Sequence, residues 1–190
     1  MGDNVIISDG GININERNTI DAILLTKNIN YIDGIKIDIY ITHDNYFVVA
    51  NSNELNKFTM SNKRINELNY KDIRKIKFPS HIFKYYIPTL TEVLDMYNTN
   101  KIIILDIHII DKDTNDILNN LIKLMNNYSY EYYLIIDEEI KNNDIKTKVL
   151  KKEEYIYLND INCYDEINEK IYIITKNPKK IYRHLLFRQK

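Results

Sequence analysis

Gly34-Ile35-Lys36-Ile37-Asp38-Ile39-Tyr40-Ile41-Thr42-His43-Asp44-Asn45-Tyr46-Phe47-Val48-Val49-Ala50-Asn51-Ser52 is the stretch whose reading decides the fold. Its first half alternates. Ile35, Ile37, Ile39 and Ile41 share one face, and Lys36, Asp38, Tyr40 and Thr42 share the other. That period of two predicts a strand with one apolar face and one polar face. Asp44-Asn45 predicts a tight turn, because Asn tolerates the left-handed conformation such turns need. Phe47-Val48-Val49-Ala50 returns as a second short strand.

Outward from this hairpin, strand and helix patterns alternate. Val5-Ile6-Ile7 reads as a buried strand ending at Gly10-Gly11. Asn18 or Thr19 caps a helix that runs to about Lys27. A short helix fits between Asn66 and Ile76, with Leu68, Ile73 and Ile76 turned inward. Thr89 caps a helix to about Tyr97, and Lys101 to Ile109 is a strand. Asp113 or Thr114 opens a helix to about Asn126, with Ile117, Leu118, Leu121, Ile122 and Met125 on one stripe. Tyr132 to Ile136, Glu154 to Leu158 and Lys170 to Thr175 read as strands. A helix fits between Asp144 and Leu150, and Pro178 opens a terminal helix to Gln189. Such repeats predict an α/β fold with a largely parallel sheet.

The chain has 190 residues and a formal net charge of −1, which suits one domain spanning 1–190 with a substantial core. A near-neutral balance gives no electrostatic case for nucleic acid. Cys163 is the single cysteine, which excludes an intramolecular disulfide. No apolar run approaches the ~18–20 residues of a membrane span, and no signal segment is visible at Met1-Gly2-Asp3-Asn4. The expectation is a soluble, cytoplasmic protein. Heavy use of Ile, Asn, Lys and Tyr fits AT-rich coding.

The hairpin resembles the glycerophosphodiester phosphodiesterase family, a group of TIM-barrel enzymes, in which it reads G-I-E-x-D-V-x-x-T-x-D-G-x-x-V-V-x-H-D. Ile87-Pro88-Thr89-Leu90-Thr91-Glu92-Val93-Leu94 is similar to the family's I-P-T-L-x-E-V-L. Leu105-Asp106-Ile107-His108 stands where the family has I-E-I-K. Ser8-Asp9-Gly10 and Arg17-Asn18-Thr19 stand where it has H-R-G and E-N-T. The resemblance implies a (β/α) barrel, but a full barrel takes about 250 residues. This chain gives about six core strands by pattern, so the barrel is expected to be incomplete. The shortfall is expected between about Leu158 and Lys170, opening the sheet between the strand near Tyr155 and the strand near Ile173. Such an edge invites a partner, and a homodimer is the expected cover.

The family's chemistry uses two histidines as general acid and base, a phosphate-binding arginine and a divalent metal held by carboxylates. Carried over residue by residue, the first histidine position is Ser8 and the arginine is Asp9. The E-N-T glutamate is Arg17, and the first metal glutamate is Lys36. The adjacent aspartate survives as Asp38. The second histidine position is Asn51, followed by Ser52. The third metal carboxylate is Asp106, and the lysine after it is His108. No catalytic residue is therefore expected, and the vestigial pocket is Ser8, Asp9, Arg17, Lys36, Asp38, Asn51, Asp106 and His108. No cofactor is expected. Mg²⁺ or Ca²⁺ would enter only in an active protein, on Asp38 and Asp106. Lys36 is expected to replace the metal and pair with Asp38 and Asp106. His43-Asp44 is expected to be an exposed turn, not the family's His-Asp pair, and His81 has no assigned role. Lys176, Lys179, Lys180, Arg183, Arg188 and Lys190 make the last helix basic; an ordinary barrel helix and a membrane-surface helix share that pattern.

Three functional classes follow. One is a pseudoenzyme that acts by binding or assembly. Another is an active phosphodiesterase of glycerophosphodiester metabolism, rebuilt around Asp38, Asp106 and His108. The third is a structural or interaction protein, viral or parasitic, that kept the fold.

Overall fold

A computed structural model describes residues 4–12, 17–53, 55, 62–76, 86–110, 112–136, 148–158 and 171–188. The strands are β1 (Val5–Asp9), β2 (Gly34–Ile41), β3 (Phe47–Val49), β4 (Ile102–His108), β5 (Tyr132–Ile135), β6 (Tyr155–Tyr157) and β7 (Tyr172–Thr175). The helices are α1 (Ile20–Leu25), α2 (Tyr70–Ile73), α3 (Leu90–Tyr97), α4 (Thr114–Met125) and α5 (Pro178–Arg188). Six strands form one parallel sheet in the order β5-β4-β2-β1-β7-β6, and β3 pairs antiparallel with β2. This is a TIM-barrel-like α/β sheet curled into a half-barrel.

Alternation along β2 decides which way the sheet curls. Ile35, Ile37, Ile39 and Ile41 are buried in one cluster with Ile23 of α1, Leu90, Val93 and Leu94 of α3, and Leu118 and Leu121 of α4. The apolar face therefore meets the helices. The opposite face lines the inside of the curl. Part of that inside is apolar, with Val5, Ile7, Ile104, Ile135 and Ile174 in one cluster. Further along, Asp9, Lys36, Asp38 and Asp106 take over, at the C-terminal end where barrel sites are built.

Local chemistry fixes the helix starts. Thr89 and Glu92 make a reciprocal capping box on α3, the Thr89 hydroxyl accepting from the Glu92 amide and the Glu92 carboxylate accepting from the Thr89 amide. Asp113 accepts from the amides of Asn115 and Asp116 at the start of α4. Thr19, not Asn18, caps α1. Asn18 instead takes a left-handed conformation, φ 59°, and sends its side chain into the site. The hairpin turn places Asn45 at φ 64°, as its composition predicts. Asn66 to Ile76 is not one helix: a 3-10 turn at Ile65–Glu67 is separated from α2 by an extended Leu68.

The expected position of the sheet opening is corrected. β6 and β7 are direct parallel neighbours, with Tyr155 opposite Tyr172, Ile156 opposite Ile173 and Tyr157 opposite Ile174. No gap lies between them. Tyr155–Tyr157 is the neighbour of the last strand, and chain order alone does not reveal such pairing. Among the described residues, the unjoined ends of the sheet are β6 and β5, the latter flanked by a single parallel bridge from Leu134 to Val149. Tyrosines reach across this interval. The rings of Tyr133 on β5 and Tyr172 on β7 stand 5.3 Å apart, although three strands separate them in the sheet. The Tyr157 hydroxyl of β6 lies 3.5 Å from Asp106 Oδ2 of β4. Large phenol rings thus stand in the interior between β5 and the β6–β7 pair. His81, residues 159–169 and most of the expected 144–150 helix lie outside the described residues; Val149 itself forms a parallel bridge with Leu134.

The exit from β1 runs hard against α1. Gly11 has φ +93°, and a Cβ there would stand 2.3 Å from the Ala22 carbonyl oxygen. Gly11→Ala is expected to destabilise the protein by about 1–3 kcal/mol from backbone strain alone, with the clash adding to it. Urea denaturation of the two proteins measures the difference.

Candidate functional site

The polar ends of β1, β2 and β4 meet in a cavity of about 350 Å³ lined by Asp9, Arg17, Lys36, Asp38, Tyr40, Asn51, Asp106, His108, Tyr157 and Lys176. Strand register explains the meeting: Asp9 pairs with Lys36 across β1 and β2, and Asp38 pairs with Asp106 across β2 and β4. Side chains two apart on a strand share a face, so Lys36 and Asp38 look into the same space.

At its centre is the Lys36 ammonium. It hydrogen-bonds Asp38 Oδ1 at short range and contacts Asp106 Oδ2 at 2.9 Å and Asp9 Oδ1 at 3.4 Å. Lys36 is only 5% exposed. Burial alone would lower its pKa, but Asp38, Asp106 and Asp9 outweigh that and raise it well above the usual lysine range. The amine therefore stays protonated and is neither a base nor a nucleophile near neutrality. Arg17 contacts Asp9 Oδ2 at 2.5 Å. By motif order these two positions match an arginine and a glutamate, so the resemblance implies that this chain carries the opposite charge at each.

Asp38 is tied from several sides. Its Oδ2 accepts from the Asn18 amide at 2.6 Å, and its backbone N–H donates to Asn18 Oδ1. Burial would raise its carboxyl, but His108 and then Lys36 prevail and hold it below the usual carboxylate range. His108 stacks on Tyr40 at 4.7 Å between ring centroids. Its Nε2 stands 3.7 Å from both Asp38 Oδ1 and Asp106 Oδ1, an ion-pair separation beyond hydrogen-bond length. The attraction of Asp38 first, then of Asp106, raises the His108 pKa above the ordinary value against the opposing effect of burial. Tyr40, half-buried beside the two carboxylates, is pushed up to about 12, by burial first and then by those charges.

Of the eight residues of the expected pocket, seven line this cavity. Ser8 does not. It lies on the other face of β1, fully buried, and its hydroxyl donates to the Gly11 carbonyl. Asn51 lies at the rim, its amide donating to the Arg17 carbonyl at 2.6 Å and its oxygen accepting from Asn18 at 2.9 Å. His43 is remote from the cavity, exposed, and its Nδ1 is 3.2 Å from Asn69 Oδ1. Sequence reasoning missed Tyr40, Tyr157 and Lys176 as lining residues. Tyr40 was readable, since it shares a face with Lys36 and Asp38. Tyr157 and Lys176 depend on how β6 and β7 join the sheet, which no local pattern carries.

Asp38, Asp106 and His108 bring one ligand atom each within 4.8 Å of one another, a spacing that a metal ion can bridge. The donor chemistry is right for a hard cation. Yet the two carboxylates already share the Lys36 ammonium, and a second positive centre there is repelled by several kcal/mol at an effective dielectric near ~20. With Lys36 charged, the residues present do not fit a divalent ion.

A parallel half-barrel with an acidic mouth at its C-terminal rim defines a class of (β/α)-barrel proteins. The model of the glycerophosphoryl diester phosphodiesterase family matches residues 17–181, and the chain belongs to that family. A solved glycerophosphodiester phosphodiesterase from Parabacteroides distasonis superposes with a TM-score of 0.66 at 14% identity, over 100% of each chain. The glycerophosphodiester phosphodiesterase of Thermotoga maritima gives 0.65 at 14% identity, covering 97% of this chain and 99% of its own. A second enzyme from Parabacteroides distasonis, a glycerophosphoryl diester phosphodiesterase, gives 0.55 at 21% identity, over 71% of this chain; the match spans only 47% of that enzyme's length. At these identities the likeness is one of fold. No curated protein sequence matches the chain. Among the described residues, no helix is long and apolar enough to cross a membrane.

Because the folded-state pKa of His108 is raised, its protonation favours the folded state. That contribution is complete below the ordinary histidine value of about 6.5. It is lost as pH rises through the folded pKa. His108→Gln is therefore expected to lower Tm most at pH 5–6, with the gap from the native protein closing above neutrality. Thermal denaturation across pH measures this, and a gap that widens with pH contradicts it.

Proposed function

We propose that this chain keeps the family's barrel without its hydrolytic chemistry and uses the barrel mouth for binding or assembly. The observation that carries the proposal is the fate of the two positions matched to the acid–base histidines. Ser8 faces away from the cavity, bonded to Gly11. Asn51 commits its amide to Arg17 and Asn18. A hydroxyl and a carboxamide do not exchange protons near neutrality. Each general acid or base contributes ~10²–10⁴-fold, so losing both removes most of the rate. Lys36 cannot substitute, since its neighbours keep it protonated.

A second reading, a phosphodiesterase rebuilt around Asp38, Asp106 and His108, draws support from the closeness of those three side chains. Against it, the same carboxylates favour the protonated imidazole, which makes His108 a poor base. The assembly arm of the proposal is a homodimer across the edge that β6 presents among the described residues. Light scattering that returns a monomer at micromolar concentration removes that arm.

The decisive experiment is hydrolysis of glycerophosphocholine and bis-p-nitrophenyl phosphate, with and without Mg²⁺ or Ca²⁺. The expected outcome is no turnover above background under any of these conditions. Steady turnover that disappears in His108→Gln establishes the rebuilt enzyme instead.

A further inference from the structure

Three carboxylates from three different strands converge on one atom. Asp9 ends β1, Asp38 lies on β2 and Asp106 on β4, and each directs an oxygen at Lys36 Nζ. An ammonium has three hydrogens to donate; Lys36 hydrogen-bonds Asp38 and Asp9, and Asp106 stands beside it at ion-pair distance. The group is buried and carried on β2 itself, so it cannot diffuse away. Convergent hard oxygens with an imidazole 3.7 Å from two of them are the donor set of a divalent-cation site.

We infer that Lys36 is a tethered stand-in for a divalent cation. Its ammonium holds the three strand ends together, makes the mouth independent of metal and keeps metal out. The charge balance leads to a sharper consequence. Asp9, Asp38 and Asp106 all face Lys36 within hydrogen-bonding distance, and among the described residues the Arg17 side chain pairs with Asp9. With His108 neutral, as a metal ligand must be, loss of the Lys36 ammonium leaves three carboxylates facing one guanidinium, a deficit of two charges that one divalent ion makes good. Lys36→Met therefore converts the mouth into a cation site formed by Asp9, Asp38, Asp106 and His108. This inference is independent of the catalytic reading. Metal-free hydrolysis by the native chain would sink that reading and leave this one intact, whereas a metal ion bound by an inactive native chain would do the reverse.

The test is Mn²⁺ binding followed by electron paramagnetic resonance, with Tm measured in parallel with and without Mn²⁺ or Ca²⁺. The native chain is expected to bind no Mn²⁺ in the mouth at millimolar concentration and to show an unchanged Tm. Lys36→Met is expected to bind one ion per chain, with affinity raised by about a hundredfold or more, and to gain Tm when the ion is added. Adding Asp38→Asn to Lys36→Met should abolish both effects. Mn²⁺ bound by the native chain and lost in Asp106→Asn overturns the inference, and so does a folded Lys36→Met that ignores the ion. Lys36→Gln repeats the measurement should Lys36→Met fail to accumulate. A variant that folds only with Mn²⁺ or Ca²⁺ present supports the inference, and one that neither folds nor binds with the ion present counts against it.

Discussion

One buried ammonium sets the terms for the rest of this molecule. Asp9, Asp38 and Asp106 are brought together by strand register, and register is enforced by the isoleucines on the opposite face of β2 and β4. Three carboxylates held this close, two of them almost out of water, are untenable without a cation. Lys36 supplies it from the same strand that carries Asp38. The hydrophobic core therefore fixes where the acids stand, and the lysine makes that arrangement compatible with folding. A pair of this kind adds little net stability over an apolar alternative, but removing one partner alone costs about 3–5 kcal/mol.

The charge arrangement also reaches the protonation states around it. The same carboxylates raise the pKa of His108 and help to raise that of Tyr40. Around its three carboxylates the mouth thus carries donors: a fixed ammonium, a guanidinium paired to Asp9, a protonation-prone imidazole and phenols that keep their protons. A hydrolytic site needs a group that can accept a proton near neutrality. On the function proposed above, the groups beside the carboxylates hold their protons rather than accept one.

Much of this was legible in the sequence. The period of two from Ile35 to Ile41 gave both the strand and its buried face, and Lys36 and Asp38 followed onto the opposite face. The caps at Thr89 and Asp113 were readable because capping is a local event. What failed was non-local. Tyr155–Tyr157 looks like any short strand, and its pairing with β7 is decided by packing across the sheet. Tyr157 and Lys176 reach the mouth only because of that pairing. Ser8 was matched to a site residue by motif order. The register Ser8–Ile35 puts it on the outer face of the sheet instead, which a motif match does not encode.

The hydrogen-bond web around Asn18 bears on how this site could change. Asn18 joins Asp38 to Asn51, and Asn51 joins the web to the Arg17 backbone, while the Arg17 side chain is bound to Asp9. Each residue now fits its altered neighbours. A histidine restored at position 51 loses the amide that bonds the Arg17 carbonyl. An arginine restored at position 9 faces both Arg17 and Lys36. A glutamate at position 36 gathers a fourth acid and leaves the site dependent on a cation from solution. Interacting substitutions of this sort are strongly non-additive. Taken alone, each of these three changes gives up a contact that the present residues make, so the web couples the positions and resists alteration one residue at a time.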